Sequence, residues 1–257
     1  MSVAVTRTED VLTLTIDRPD ARNALNTEVL TGLIDGLDEA DRDPQVKVAV
    51  LTGAGDRVFC AGADLAGMAE SEDAVGQHER RGLLRDLFAA TERLGKPLIG
   101  RLNGHALAGG IGVALACDLL VAADHVELGT PEVRVGLWPY LVSALLVEHL
   151  GPKRALELMM TGERITAAQA LAWGLVNRVC PREDLDATVA ELAAALRLAG
   201  PVAMRLGRRS HHQARDMAPH VALAYLHGML DLTVQTEDVR EGVTAFFEKR
   251  PPEWKGR

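Results

Sequence analysis

Residues Ile99–Asp124, IGRLNGHALAGGIGVALACDLLVAAD, decide how the rest of the chain is read. Leu98 and Ile99 lead into Asn103-Gly104, and Ala106–Cys117 follows with glycines at 109, 110 and 112 and no charge. A second apolar run covers Leu119–Ala123. The pattern predicts a strand, a tight glycine turn, a buried helix and a buried strand. Gly109 and Gly110 let the backbone approach a neighbour closely and turn at no steric cost. A helix that starts there aims its unpaired N–H groups at one spot, which suits an oxyanion.

Toward the N-terminus, Val3–Thr6 and Val11–Ile16 flank Glu9-Asp10 and alternate in polarity, predicting a hairpin closed by Pro19-Asp20. Asn26 or Thr27 caps a helix whose apolar residues Val29, Leu30, Leu33, Ile34, Leu37 and Ala40 recur at helical spacing up to Asp43-Pro44. Val46–Leu51 is continuously apolar, as a strand buried on both faces would be. Thr52–Gly55 lacks the third glycine of a dinucleotide loop. Residues 66–82 read as an irregular segment over a site, and Leu83, Leu84, Leu87, Phe88 and Leu94 as the next helix face.

Beyond the central stretch, Val126–Gly129 predicts a short strand and Thr130-Pro131-Glu132 a turn. Helices follow at Leu141–Leu150, Pro152–Met160 and Thr166–Trp173, then a strand at Leu175–Val179. From Arg182 to Phe247 the pattern is helical only, broken at Gly200-Pro201 and near Pro219. The chain thus divides into a mixed core, residues 1–195, and a helical region, 196–257, whose apolar faces suit contacts between subunits.

Composition bounds the function. The 257 residues are 47% hydrophobic and 25% charged, ordinary for a globular protein. A net charge of −8 excludes general nucleic-acid binding. The cluster Arg205, Arg208, Arg209 and Arg215 reads as a solvated helix face. Cys60, Cys117 and Cys180 form no CxxC pair, so no disulfide framework or zinc site is expected. The N-terminus lacks a signal-peptide layout, and Leu102–Cys117 falls short of the ~20 apolar residues of a spanning helix. A cytoplasmic protein with no membrane partner is expected.

Asn103-Gly104-x-Ala106-x-Ala108-Gly109-Gly110, with Ala116-Cys117-Asp118, resembles the signature segment of the crotonase (enoyl-CoA hydratase/isomerase) superfamily. Arg18–Asn26, Phe59–Asp64, Thr130–Glu132 and Phe246–Arg250 agree with the same family in the same order. The resemblance implies an α/β fold, a crotonase-like spiral of ββα repeats with a C-terminal helical oligomerisation region, and a homotrimer or homohexamer. It also implies proton transfer at the carbon alpha to a CoA thioester. The enolate oxygen is then held by the backbone N–H groups of Ala63 and Gly109, and Glu132 stands at the family's second catalytic carboxylate. Read alone, these glycines serve only tight turns and Glu132 is a loop carboxylate.

In enoyl-CoA hydratases a first glutamate stands three residues after the oxyanion glycine; here that residue is Gly112. Water addition uses two carboxylates, whereas a double-bond shift needs one base that moves a proton between carbons. A single-carboxylate enoyl-CoA isomerase is therefore expected, with enoyl-CoA hydratase as the alternative and a catalytically silent acyl-CoA-binding protein as a third reading. Glu127 and Tyr140 are candidates for a second acid. Leu137–Tyr140 differs from the family's glycine-rich stretch and reshapes the acyl pocket. By the same resemblance CoA is held by Arg22, by the backbone at Ala61, Asp64 and Leu65, and by Phe246 and Lys249, often from a neighbouring subunit. CoA enters as part of the substrate, and neither a separate cofactor nor a metal is expected. His211, His212, His220 and His227 read as helix-surface histidines.

Overall fold

Strand β1 (Val3–Thr8) turns through Glu9, at φ 55°, into β2 (Val11–Ile16), and the two pair antiparallel from Val3↔Ile16 to Thr8↔Val11. Leu12, Leu14 and Ile16 face the core while the residues between them are half-buried, as the alternation requires. Helix α1 (Thr27–Arg42) begins where the Asn26 side chain accepts the Val29 N–H at 2.9 Å, and it buries Val29, Leu30, Leu33, Leu37 and Ala40. The computed structural model describes residues 2–64 and 73–257.

Three successive turns of chain then repeat one pattern. β3 (Val48–Gly53) and β4 (Val58–Cys60) precede α2 (Ala74–Arg93); β5 (Leu98–Leu102) and β6 (His105–Leu107) precede α3 (Gly109–Leu115); β7 (Leu119–Ala123) and β8 (Glu127–Gly129) precede α4 (Tyr140–Thr161). In each turn the first strand joins a six-stranded sheet, β1-β2-β3-β5-β7-β10, and the second joins a four-stranded sheet, β4-β6-β8-β9. The neighbours from β2 to β10 in the large sheet are parallel, as are β4, β6 and β8 in the small one. All six residues of β3 are buried, because helices and the second sheet cover it on both faces. This is the spiral of ββα turns expected from the sequence.

The remaining elements are β9 (Arg164–Thr166), α5 (Ala167–Ala172), β10 (Arg178–Cys180), α6 (Leu185–Leu196), α7 (Pro201–Ala214), α8 (Pro219–Val234) and α9 (Glu237–Glu248). The anticipated division at residue 195 falls in the last turn of α6, whose Leu185, Val189, Leu192 and Ala193 are buried. Among the described residues no single helix is long and apolar enough to cross a membrane.

Four expectations need correction. The central helix starts at Gly109 as expected, but the turn before it holds an unexpected strand, since His105–Leu107 is drawn into β6 between β4 and β8. Residues 74–82, expected to be irregular, form the first half of α2, which Asp73 caps by accepting the Gly76 N–H at 2.7 Å; residues 66–72 lie outside the described residues. Arg164–Thr166 was not anticipated as a strand, yet it pairs antiparallel with β8. The last strand is Arg178–Cys180, since Leu175 and Val176 are spent on the turn before it.

Of the arginine cluster, Arg205, Arg209 and Arg215 are exposed as expected, but Arg208 is not. The Arg208 side chain is 6% exposed and donates to Asp118 at 2.7 and 2.9 Å, to the Thr91 carbonyl at 2.7 Å, and to the Glu92 and Leu94 carbonyls. Asp118 in turn accepts the Leu98 N–H at 2.7 Å, so one guanidinium ties α7 to the ends of α2, α3 and β5. His212, expected on the surface, is packed beside this pair with its ring 3.6 Å from Asp118. Burial pushes the Asp118 carboxyl up, but His212 and Arg208 outweigh it and hold the group below its ordinary value.

Arg208→Ala leaves a buried carboxylate unpaired and is expected to cost about 3–5 kcal/mol at neutral pH, read from urea midpoints. Because the folded value of Asp118 is lowered, its contribution is complete above about 3.9 and fades as pH falls through that lowered value. The gap between wild type and variant should therefore narrow in acid and stay constant from neutral pH upward.

Candidate active site

The segment after β4 is fixed by a one-residue bridge to the segment before α1. Leu25 donates to the Gly62 carbonyl at 2.8 Å and accepts the Asp64 N–H at 3.0 Å. In a parallel bridge of this kind the residue between those partners, Ala63, turns its own N–H the other way. Gly62 sits at φ 89°, and a Cβ there would stand 2.7 Å from the Ala108 Cβ and 2.8 Å from the Gly109 nitrogen. Only glycine allows the two backbones this close.

Gly109 opens α3, so its N–H belongs to the first turn, which has no partner within the helix. Ala108 before it holds φ 52° and ψ −131°, an uncommon conformation for a residue with a side chain, and its N–H donates to the Gly129 carbonyl at 2.9 Å. Gly110 packs on Cys60: a Cβ would lie 2.7 Å from that residue's carbonyl carbon. Gly109 itself has room, since its Cβ would meet Leu25 and Leu84 at 3.6 Å. Ala63 and Gly109, the two predicted oxyanion donors, thus lie on segments that touch.

Glu132 stands in a single 3-10 turn, Pro131–Val135, that Pro131 starts and Gly136 ends at φ 78°. Its Oε2 is buried and has no hydrogen-bond partner. Burial raises its carboxyl above the ordinary value, opposed only by its own backbone N–H. A base that is uncharged more easily than usual and has no ion-pair partner can both take and return a proton. Thr130, just before it, is 0% exposed, and its hydroxyl also lacks a partner.

At Gly112 a Cβ would stand 2.9 Å from Phe88 Cζ and 2.9 Å from Val142 Cγ2. The ring and the methyl group close over the position where a first glutamate would stand. Glu127 is held by Arg164 at 3.1 Å with His105 at 4.0 Å, and Tyr140 is 77% exposed at the start of α4. Cys60 is no rival nucleophile: burial pushes its thiol up to about 12.

Of the predicted CoA contacts, Arg22 is exposed, and its carbonyl accepts the Ala61 N–H at 3.2 Å, which brings the two together. Asp64 accepts from Arg18 at 2.9 Å. Leu65 lies outside the described residues. Phe246, 78% exposed, and Lys249 lie at the end of α9, which packs on α7 and α8 rather than on the oxyanion segments. Sequence reasoning missed Thr130, Phe88 and Leu84. It also missed the anchoring of the glycine loops by Asn23, which donates to Ala54 and Val58, and by Asn103, which donates to Gly55 and accepts from Gly53. Thr130 was visible only as part of a turn, and the α2 contacts needed the fold.

Comparison with known proteins gives a consistent answer. The model of the enoyl-CoA hydratase/isomerase family matches residues 6–257. The 2,3-dehydroadipyl-CoA hydratase of Escherichia coli K12 is 37% identical over 254 residues, covering 98% of both chains. The crotonyl-CoA hydratase of Syntrophomonas wolfei is 34% identical over 250 residues, covering 97% of this chain and 96% of the relative. The crystal structure of an enoyl-CoA hydratase from Bacillus anthracis superposes with a TM-score of 0.95 at 32% identity, covering all of both chains.

The two adjacent glycines should respond differently to one methyl group. Gly110→Ala drives a Cβ into the Cys60 backbone and should lower stability by about 1–3 kcal/mol or more. Gly109→Ala meets only ordinary contacts and should leave the melting temperature unchanged or slightly raised, since alanine is favoured over glycine in a helix by about 1 kcal/mol. Thermal unfolding of the two variants checks both.

Proposed function

The chain belongs to the enoyl-CoA hydratase/isomerase family and is an acyl-CoA enzyme of that type, and from that premise we propose that it shifts the double bond of a 3-enoyl-CoA into conjugation with the thioester using one carboxylate. Glu132 removes a proton from C2; the electron pair moves onto the thioester oxygen through the C1–C2 bond, giving a dienolate conjugated with the C3–C4 double bond, and the N–H groups of Ala63 and Gly109 hold that oxygen. The same carboxylic acid then protonates C4, leaving the double bond between C2 and C3 and Glu132 ionised as before. Arg22, the backbone at Ala61, Asp64 and Leu65, and Phe246 and Lys249 from a neighbouring subunit bind the CoA portion.

The observation that carries this reading is the apolar enclosure of Gly112 by Phe88 and Val142, together with Glu132, whose Oε2 is buried without a partner. A water at C3 has one fewer acceptor to orient it there, and lost positioning can cost several kcal/mol of barrier. The second reading, hydration of a 2-enoyl-CoA, is favoured by the names of the relatives, hydratases of dehydroadipyl-CoA and crotonyl-CoA. Assembly into three or six subunits belongs to this reading, and helix α8 offers it an apolar face, because none of its residues is buried while Leu223, Leu226, Leu230 and Leu232 are all exposed.

Glu132→Gln keeps the shape and removes the base; turnover should fall ~10²–10⁴-fold with acyl-CoA affinity retained within several-fold. Conversion of 3-enoyl-CoA to its conjugated isomer should exceed hydration of that isomer in kcat/KM at every chain length, both followed by near-ultraviolet absorbance. Faster hydration would overturn the single-base reading. Light scattering should give the mass of three or six chains at micromolar concentration.

A further inference from the structure

Among the described residues, buried side-chain polar atoms without a partner occur at Thr130, Glu132 and His212. Two of these three residues fall in the run Thr130-Pro131-Glu132. A fully buried hydroxyl that bonds to nothing is costly and rarely left so. Thr130 has an ordinary use for its hydroxyl, since it occupies the N-cap of the 3-10 turn, yet it makes no side-chain cap bond there. Its side chain is turned inward instead, at 0% exposure. Its place in the small sheet locates it: Gly129 pairs with Leu107 and accepts the Ala108 N–H, so Thr130 follows directly alongside the start of α3.

We propose that Thr130 is a positioning residue for Glu132: when acyl-CoA fills the site, its hydroxyl donates to the Glu132 carboxylate and fixes the oxygen that faces the substrate. The inference rests on Glu132 being the base. Proline between the two residues limits how far they can drift apart. Other charges near the turn are engaged elsewhere. Arg134 is exposed beside Gly162, and Glu127 is paired with Arg164. On α4, the helix packed on the turn, Tyr140 is exposed, Glu148 pairs with Arg215 and Arg154 stacks over Trp173. Burial raises the Glu132 carboxyl, its own backbone N–H opposes this and no neighbouring charge does, so a donated hydrogen bond is a further means of favouring its ionised form.

The test is a ¹³C titration of the Glu132 carboxyl, assigned with Glu132→Gln, in wild type, Thr130→Val and Thr130→Ser, each free and saturated with butyryl-CoA, which has no double bond to move. With butyryl-CoA bound, the midpoint in Thr130→Val should lie about one pH unit above wild type, since a donor to the ionised form is gone. Thr130→Ser should match wild type, and the free proteins should titrate together. Thr130→Val should melt no lower than wild type, because replacing an unpaired buried hydroxyl by a methyl group loses no bond. Equal midpoints for wild type and Thr130→Val in the complex, or a common shift in Val and Ser, would overturn the proposal, as would a shift already present without butyryl-CoA. The titration needs no turnover. Absence of α-proton exchange in wild type would sink the proton-transfer reading and leave this measurement decisive.

Discussion

Everything at the site depends on how closely the chain after β4 approaches the start of α3. Gly62 lies against Ala108 and Gly109, and Gly110 lies on Cys60, with no side chain between the two backbones. Two peptide N–H groups can converge on one atom only if their segments are this near, since a Cβ at either glycine would push them apart. The rest of the molecule defends that contact. Leu25 bridges one side of it, Asn23 and Asn103 hold the loops that lead into it, and the strained Ala108 is pinned by the Gly129 carbonyl.

Asp118 and Glu132, both with largely buried carboxyl groups, are pushed in opposite directions. Asp118 is paired, hydrogen-bonded to Arg208 and to the Leu98 N–H, and held low; it fastens the helical half to the spiral. Glu132 has burial without a partner and is held high. The first keeps its charge through the pH range of a living cell, which suits a tether. The second sits nearer to exchanging its proton, which suits chemistry.

The fold was legible in the sequence wherever local chemistry decided it. Asn26 marked the start of α1, the alternation of β2 gave its inner face, and the glycines at 109 and 110 marked the start of α3. What was not legible depended on partners distant in sequence. His105–Leu107 carries no strand signal of its own and becomes β6 only because β4 and β8 lie on either side. Arg208 looks like its exposed neighbours until Asp118 is brought to it from across the chain. At the site, Glu132 and the glycine turns could be named from their motifs. The meaning of Gly112 could not, because the atoms that fill its space come from α2 and α4.

The spiral also ties these groups to one element. Ala63, Gly109 and Glu132 each follow the second strand of a turn, just past the ends of β4, β6 and β8. Those strands are three residues each and parallel, and they share one ladder, Cys60↔Ala106 and Ala106↔Leu128. The site is therefore the carboxyl edge of a small sheet, a common place for ligands in parallel α/β folds. The spacing among the three groups is set by interstrand register, not by side-chain packing. Loops that leave this edge can lengthen or change sequence without altering that spacing, so substrate preference is free to diverge while the reacting geometry stays fixed.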